Sequence, residues 1–396
     1  MDLSLIYRNC LNCKNARCHN TCPCGNEIPQ ILDLLKQGKE KEAADLLYST
    51  NPFPEWTSLL CDHLRQCRGN CIRGIRGEPV DFPTVEHELS MRYPFPFQAG
   101  SPCNKNVAIV GAGPSALSAS VYLSVAGFAV TIYDRQASLG GAMLTGIPNF
   151  RFDKAGLFLT QKRLESLGVK FCFDTELNSE KIEDLRGKYD EVILAIGAEK
   201  ENRLTTPPCK DIHTALSLLE DANVRDDYNG LDQKKHIVVM GGGNVAMDVS
   251  RLFVRQGVRV TLIYRRDEAS MPAQRHEIVE AKEDGVVFSP LTNVADYHIS
   301  EEGDLLGLRL VRMGLGEKDE SGRPSFFAIE GSEFDLDCDA FIMAIGEKSD
   351  LASLVDPATL GGSLHAIGDC SYGAKNIAAA IKSGREKAKE IIEKHR

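Results

Sequence analysis

The chain has 396 residues, 43% of them hydrophobic and 26% charged, with a formal net charge of −10 at pH 7. That length is enough for two or three domains with cores of their own, and the composition is ordinary for a globular protein. The acidic balance argues against nucleic acid as the main partner. The opening residues MDLSLIYRNC lack the basic start and long apolar run of a signal peptide. The most apolar stretch, 116–130, is broken by Ser118, Ser120, Ser124 and Gly127 and is too short to cross a bilayer. A cytoplasmic protein without a membrane partner is expected.

Cysteine use is uneven. Eight of the thirteen cysteines lie in the first 71 residues. The first group reads Cys10-x2-Cys13-x4-Cys18-x3-Cys22-Pro23, with Cys24 just beyond, and the second reads Cys61-x5-Cys67-x3-Cys71. A disulfide scaffold is normally a short secreted chain, so metal–thiolate chemistry in a reducing compartment is the better reading. Zinc takes four ligands, often as paired CxxC or with histidines at metal spacing, and His19 sits beside Cys18 rather than at such a spacing. The first group is closer to a ferredoxin run, in which three cysteines hold one cubane and the cysteine before proline reaches the other. Between the groups, IPQILDLLKQG and KEKEAADLLYS place Ile31, Leu34 and Leu35, then Ala43, Leu46 and Leu47, at helical spacing, with Gly38 between. Two short helices with a turn would fold back and bring the groups together. Residues 92–103 are rich in Pro and Gly and read as a linker.

An internal repeat follows. GAGPSALSASVYL starts at Gly111 and GGGNVAMDVSRLF at Gly241, each after a β-rich run (NVAIV, HIVVM) and before another (AVTIY, RVTLIY). Two copies of GxGxxA in strand–turn–helix context predict two dinucleotide folds. The glycines permit the tight turn and close approach to a pyrophosphate, and the helix N-terminus faces the phosphates. EVILAIG and AFIMAIG, ending at Gly197 and Gly346, match each other as apolar strands stopping under a nucleotide site. The first copy ends on Asp134, an acid able to bind ribose hydroxyls. The same count in the second copy lands on Tyr264, followed by Arg265 and Arg266, which favours a 2′-phosphate and NADPH, with NADH left open. One free-ribose site and one phosphate-binding site together predict FAD plus NADPH. Near the end, LHAIGDCSYGAKNIAAAI reads as a strand, the polar turn Gly368-Asp369, and a small-residue helix whose N-terminus could face a flavin.

With these residues in place, the chain resembles the small (β) subunit of bacterial glutamate synthase and its relatives, which include the N-terminal half of dihydropyrimidine dehydrogenase and the large subunit of electron-bifurcating ferredoxin:NADP oxidoreductase. The resemblance spans residues 9–390 and rests on CxxCxxxxCxxxCP, NPFPEW, the second cysteine group, VAIVGAGPSAL, GGAMLTGIPNFRFDK, GGGNVAMD, YRRDEASMPA and AIGDCSYGAKNIAAAI. It implies an α/β chain: a small helical iron–sulfur domain at 1–91, followed by two nested Rossmann-like domains. The FAD domain would run over 104–205 and 335–396, with the NADPH domain (206–334) inserted. It further implies FAD contacts at Gly111, Gly113, Pro114, Ser115, Ala116, Asp134, Gly141, Arg151, Gly368, Asp369, Asn376 and Ile377. NADPH contacts would fall at Gly241, Gly243, Asn244, Val245, Arg265 and Arg266. By the same resemblance Cys10, Cys13, Cys18 and Cys71 hold one [4Fe–4S] cluster, and Cys22, Cys61 and Cys67 hold a second. The second lacks a fourth thiolate, and Glu86, fifteen positions past Cys71, is expected to complete it, with His87 as the lesser choice. Cys24 is left as a small buried residue without a role in binding iron.

The expected activity is electron transfer from NADPH through FAD and two clusters to a partner. That partner would be a glutamate synthase large subunit, a pyrimidine reductase, or a ferredoxin-like protein. The cofactors carry the chemistry, so no acid–base side chain is named as catalytic. A stand-alone NADPH:acceptor reductase and a zinc-stapled binding protein are the competing readings. Thioredoxin-reductase chemistry is disfavoured because no CxxC occurs in the second fold.

Overall fold

The computed structural model describes residues 3–318 and 322–396. They form two compact units: Met1–Gly141, Lys154–Ala198 and Ser349–Arg396 make the first, and Ala142–Asp153 with Glu199–Lys348 the second.

After two four-residue helices, Ser4–Tyr7 and Arg17–Asn20, the first unit forms the expected helix pair, Ile28–Lys36 and Glu40–Thr50. Pro29 sits in the first turn of the former, where its missing N–H costs nothing. Ile28, Ile31, Leu32 and Leu35 form its buried face and meet Ala43, Ala44 and Leu47 of the second helix. Two further helices, Pro54–Leu60 and Phe82–Arg92, also start on a proline turn. Val85 and Leu89 join the same core, against which Cys10, Cys18, Cys22 and Cys71 pack. Burying this apolar face holds the cysteine loops, which have little regular structure of their own.

The rest of the first unit is a five-stranded sheet in the order Leu364–Ala366, Glu191–Leu194, Asn106–Val110, Ala129–Tyr133, Lys170–Cys172. Every pairing is parallel. Helix Pro114–Val125 follows the first glycine turn and buries Ser115, Ser118, Ser120 and Ser124. These small side chains let the C-terminal helix, Ile377–Lys394, come close. Ser118 Oγ donates to the Ile381 carbonyl at 2.8 Å. A side chain at Gly384 would stand only 2.0 Å from the Ser115 carbonyl oxygen. Ser115 and Ser118 are thus a helix-packing face.

The second unit repeats the plan. Its sheet runs Ile212–Thr214, Ala340–Met343, His236–Met240, Arg259–Tyr264, Val287–Pro290, again wholly parallel. An antiparallel ribbon is added, in which Leu305–Lys318 pairs with Thr292–Ile299, Pro324–Ala328 and Phe334–Asp337. Ala340–Met343 pairs with His236–Met240, just as Glu191–Leu194 pairs with Asn106–Val110. The return to the first fold therefore comes after Lys348 rather than at 335. The strand AFIM closes its own repeat before the chain leaves it.

Candidate functional site

In the first glycine turn, Gly111 has φ +99° and no room for a side chain: a Cβ would lie 2.5 Å from the Ala195 carbonyl oxygen. Gly113 and Pro114 lead into the helix, and Ser115 and Ala116 are buried in its first turn. Asp134 closes the turn. Its carboxylate accepts from the Ala112 N–H at 2.6 Å and the Gln136 N–H at 2.7 Å. Gly141 lies so close over Gly113 that a Cβ would come within 2.8 Å of the Gly113 Cα. Gly368 abuts the same place, where a side chain would strike Ser115 Oγ at 2.6 Å. Asp369 accepts from the Lys375 N–H at 3.3 Å, and burial raises its pKa. Asn376 caps the C-terminal helix, which begins at Ile377, by accepting from the Ala379 N–H at 2.9 Å. Two glycine loops, an acid at a strand end and a long helix N-terminus thus converge within the first unit. That donor and acceptor set fits a dinucleotide with an unphosphorylated ribose.

Arg151 lies in the second unit, where its guanidinium meets both oxygens of Asp248 at 2.6 and 2.7 Å and also pairs with Glu277. All three side chains are at least nine-tenths buried. Burial pushes Asp248 up to about 6 against the pull of Arg151. This arginine is a buried counter-charge to Asp248 of helix Asn244–Arg255 and to Glu277. An i-to-distant ion pair of this kind leaves no mark in sequence spacing.

The second glycine turn repeats the close approach, with a Cβ on Gly241 falling 2.2 Å from the Ala344 carbonyl oxygen. Gly243, Asn244 and Val245 start the helix, and Asn244 Oδ1 accepts from the Gln274 N–H at 2.9 Å. The two arginines beyond Tyr264 differ. Arg266 is buried, and its Nε donates to the Pro324 carbonyl at 2.6 Å. Arg265 is exposed, with its guanidinium 4.4 Å from the Phe326 ring centre. Burial first, and then the charges of Arg266 and Arg323, lower the Arg265 pKa. Arg265 is thus the exposed cation of the pair, and Arg266 anchors the antiparallel ribbon. Phe326 and Arg323 were not foreseen, because they reach the site from sixty residues away through strand pairing.

In the helical domain, Cys10, Cys13, Cys18 and Cys71 line one cavity, together with Cys67. Burial raises the Cys10 thiol and pushes Cys18 up to about 11; Cys13 and Cys71 add to both, and Cys10 to Cys18. Cys22, Cys61 and Cys67 are raised by burial first, and all three feel the charge of Glu86. Glu86 is 4% exposed and stands on helix Phe82–Arg92. Its Oε1 accepts from Thr57 Oγ1 at 2.8 Å, Asn51 Nδ2 at 3.0 Å and Asn26 Nδ2 at 3.1 Å. Burial still pushes its pKa up to about 7. One oxygen is saturated by three donors, and none of those bonds goes to Oε2. Hydrogen bonds of this kind fix the orientation of a carboxylate, as a metal ligand would require. His87 Nδ1 is instead 3.4 Å from Ser58 Oγ.

The thiols of Cys10, Cys13, Cys18 and Cys71 border one cavity, a donor set that would suit an iron–sulfur cluster. Cys24 has a structural place. It is 1% exposed, with its Sγ 3.5 Å from the Ala378 carbonyl oxygen.

Residues 105–384 match the family described as pyridine nucleotide-disulphide oxidoreductase, and residues 7–91 match dihydropyrimidine dehydrogenase domain II, 4Fe-4S cluster. The glutamate synthase [NADPH] small chain of Escherichia coli is 30% identical over 97% of this chain and 89% of its own length. The β subunit of the NADP(+)-dependent formate dehydrogenase of Moorella thermoacetica is 31% identical over 95% of this chain, which spans only 59% of that protein. Thioredoxin reductase of T. acidophilum shares the fold, with a TM-score of 0.53 and 18% identity over 74% of this chain and 99% of that one. No described helix is long and apolar enough to cross a membrane.

Proposed function

The chain belongs to the pyridine nucleotide-disulphide oxidoreductase family and carries an N-terminal 4Fe-4S domain, and on that premise we propose that it passes electrons from NADPH to a partner protein subunit, as a glutamate synthase small-chain-like module. FAD would take hydride from NADPH and release electrons singly, and two [4Fe–4S] clusters would carry them out. The observation that carries this reading is that the cysteine cage and the free-ribose glycine turn belong to one compact unit.

The side chains divide the work. Gly111, Gly113, Asp134, Gly141 and the Gly368–Ile377 turn would hold the FAD. Gly241, Gly243, Asn244, Val245 and Arg265 would hold and select NADPH. Cys10, Cys13, Cys18 and Cys71 would bind one cluster, and Cys22, Cys61, Cys67 and Glu86 the other. Residues 1–91 would be the cluster domain and 92–103 its linker. Thiols must stay reduced for this, so we place the protein in the cytoplasm.

Anaerobic purification with flavin, iron and sulfide analysis tests the reading directly. NADPH should bleach the flavin and produce EPR signals from two reduced clusters. A yellow protein that loads with flavin but never with iron would sink it. Co-purification with a large subunit from the native host would then identify the acceptor.

A further inference from the structure

The cavity walled by Cys10, Cys13, Cys18 and Cys71 is also lined by Leu11, Arg17, Ile72 and Arg73. Leu11 is 59% exposed, Ile72 37% and, beside it, Ile75 71%. Such apolar side chains are unusual at a surface when they gather around one cavity. The charges around them are mostly positive. Residues 10–20 carry Lys14 and Arg17, and residues 62–81 carry Arg65, Arg68, Arg73 and Arg76 against Asp62, Glu78 and Asp81. This stands against a net charge of −10 for the whole chain. Arg65 and Arg68 lean on Asp62 and Asp81 at 3.6 and 3.9 Å. Lys14, Arg17, Arg73 and Arg76 make no ion pair among the described residues, and Arg73 Nε is buried without a hydrogen-bond partner.

We propose that this face is the docking surface for an acidic, electron-carrying protein. The proposal rests on the electron-transfer reading above and adds where the electrons leave and to what kind of partner. An apolar centre within a charged rim is the anatomy of a protein interface. Complementary charge steers such a partner to this face and rejects basic ones. A partner seated on Leu11, Ile72 and Ile75 would stand directly over the four-cysteine wall, where the path for an electron is shortest. Each NADPH releases two electrons and a proton on becoming NADP+, so two one-electron acceptors are reduced in turn and the proton goes to solvent.

The test uses the holoenzyme with NADPH and three acceptors: an acidic bacterial ferredoxin, a basic cytochrome c, and the small dye benzyl viologen. Lys14→Glu with Arg76→Glu reverses two exposed charges outside the cysteine wall, and Lys14→Gln with Arg76→Gln is the milder pair. Ferredoxin reduction should fall about tenfold or more in kcat/KM for the charge reversal and less for the neutral pair, in keeping with electrostatic steering. Wild-type ferredoxin reduction should also drop steeply with added salt. Dye reduction and iron content should be unchanged, and cytochrome c reduction should rise in the reversed variant. Ferredoxin rates indifferent to salt and to both variants, or a wild-type preference for cytochrome c, would overturn the docking surface. If the wild type holds no iron or reduces no dye, the electron-transfer reading itself fails instead.

Discussion

Arg385 donates from Nη1 to the carbonyl oxygen of Cys24 at 2.7 Å, and the same nitrogen reaches the carbonyl of Thr50. The side chain is 7% exposed and makes no ion pair among the described residues. It is a cation of the C-terminal helix used to pin the loop that follows Cys22. Arg385→Met should therefore cost about 1–3 kcal/mol, because buried carbonyls lose their donor. Amide exchange should quicken at residues 22–26, and iron should be lost faster on dilution. Arg385→Lys should restore part of the protection. Unchanged exchange in the Met variant would show that the loop is held without this bond.

Glu86 should be needed for one cluster and not the other. Glu86→Ala should halve the iron and sulfide per chain while leaving the cluster of Cys10, Cys13, Cys18 and Cys71 intact by EPR. Glu86→Cys would offer a thiolate and should recover iron with an altered spectrum. Two intact clusters with an unchanged spectrum and potential in Glu86→Ala would remove it as a ligand.

The two arginines after Tyr264 should separate in their effects. Arg265→Ala should raise KM for NADPH about ten- to a hundredfold, as expected on losing a charge-assisted phosphate contact of about 1.5–3 kcal/mol. KM for NADH should barely move. Arg266→Ala should instead lower thermal stability, since its guanidinium serves the Pro324 carbonyl within the fold. Equal NADPH and NADH losses in Arg265→Ala would show that it does not read the 2′-phosphate.

Glu191 gives the fold a pH limit. It is fully buried at the start of its strand and accepts from Lys394 at 2.6 Å, His365 at 2.8 Å and His395 at 2.6 Å. Burial alone would raise its pKa, but these three donors outweigh it and bring it below the ordinary 4.5. A depressed folded pKa means stability that is present above 4.5 and lost as pH falls through the folded value. His365 adds to this with the same sign. Burial lowers its pKa below 6.5, so the unfolded chain takes up a proton first as pH drops. Melting temperatures of the wild type and Glu191→Gln should differ most near pH 7 and converge below pH 4.5. A constant gap would mean that the charge of Glu191 contributes nothing.

Most of the nucleotide folds could be read from local pattern. A glycine turn between two apolar strands constrains only a few neighbouring residues, so Gly111, Asp134 and Gly241 fall where the motif puts them. The same holds for the helix pair between the cysteine groups, whose 3.6-residue period needs one apolar partner face. The pairing of Ala340–Met343 was also legible, since AFIMAIG mirrors EVILAIG, although the boundary at 335 passed over that signal.

What the sequence by itself determined was the set of local devices: two glycine turns, two cysteine groups, and helices with one apolar face. Their cause lies within a few residues of chain, in backbone sterics and side-chain period. What only the tertiary structure decided was which side chains meet across long separations. It sent Arg151 to Asp248 and Glu277, split Arg265 from its buried neighbour Arg266, saturated one oxygen of Glu86 with Asn26, Asn51 and Thr57, and gave Cys24 its seat beneath Arg385. A buried charge takes whatever partner packing brings within about 3 Å, and no spacing rule along the chain encodes that choice.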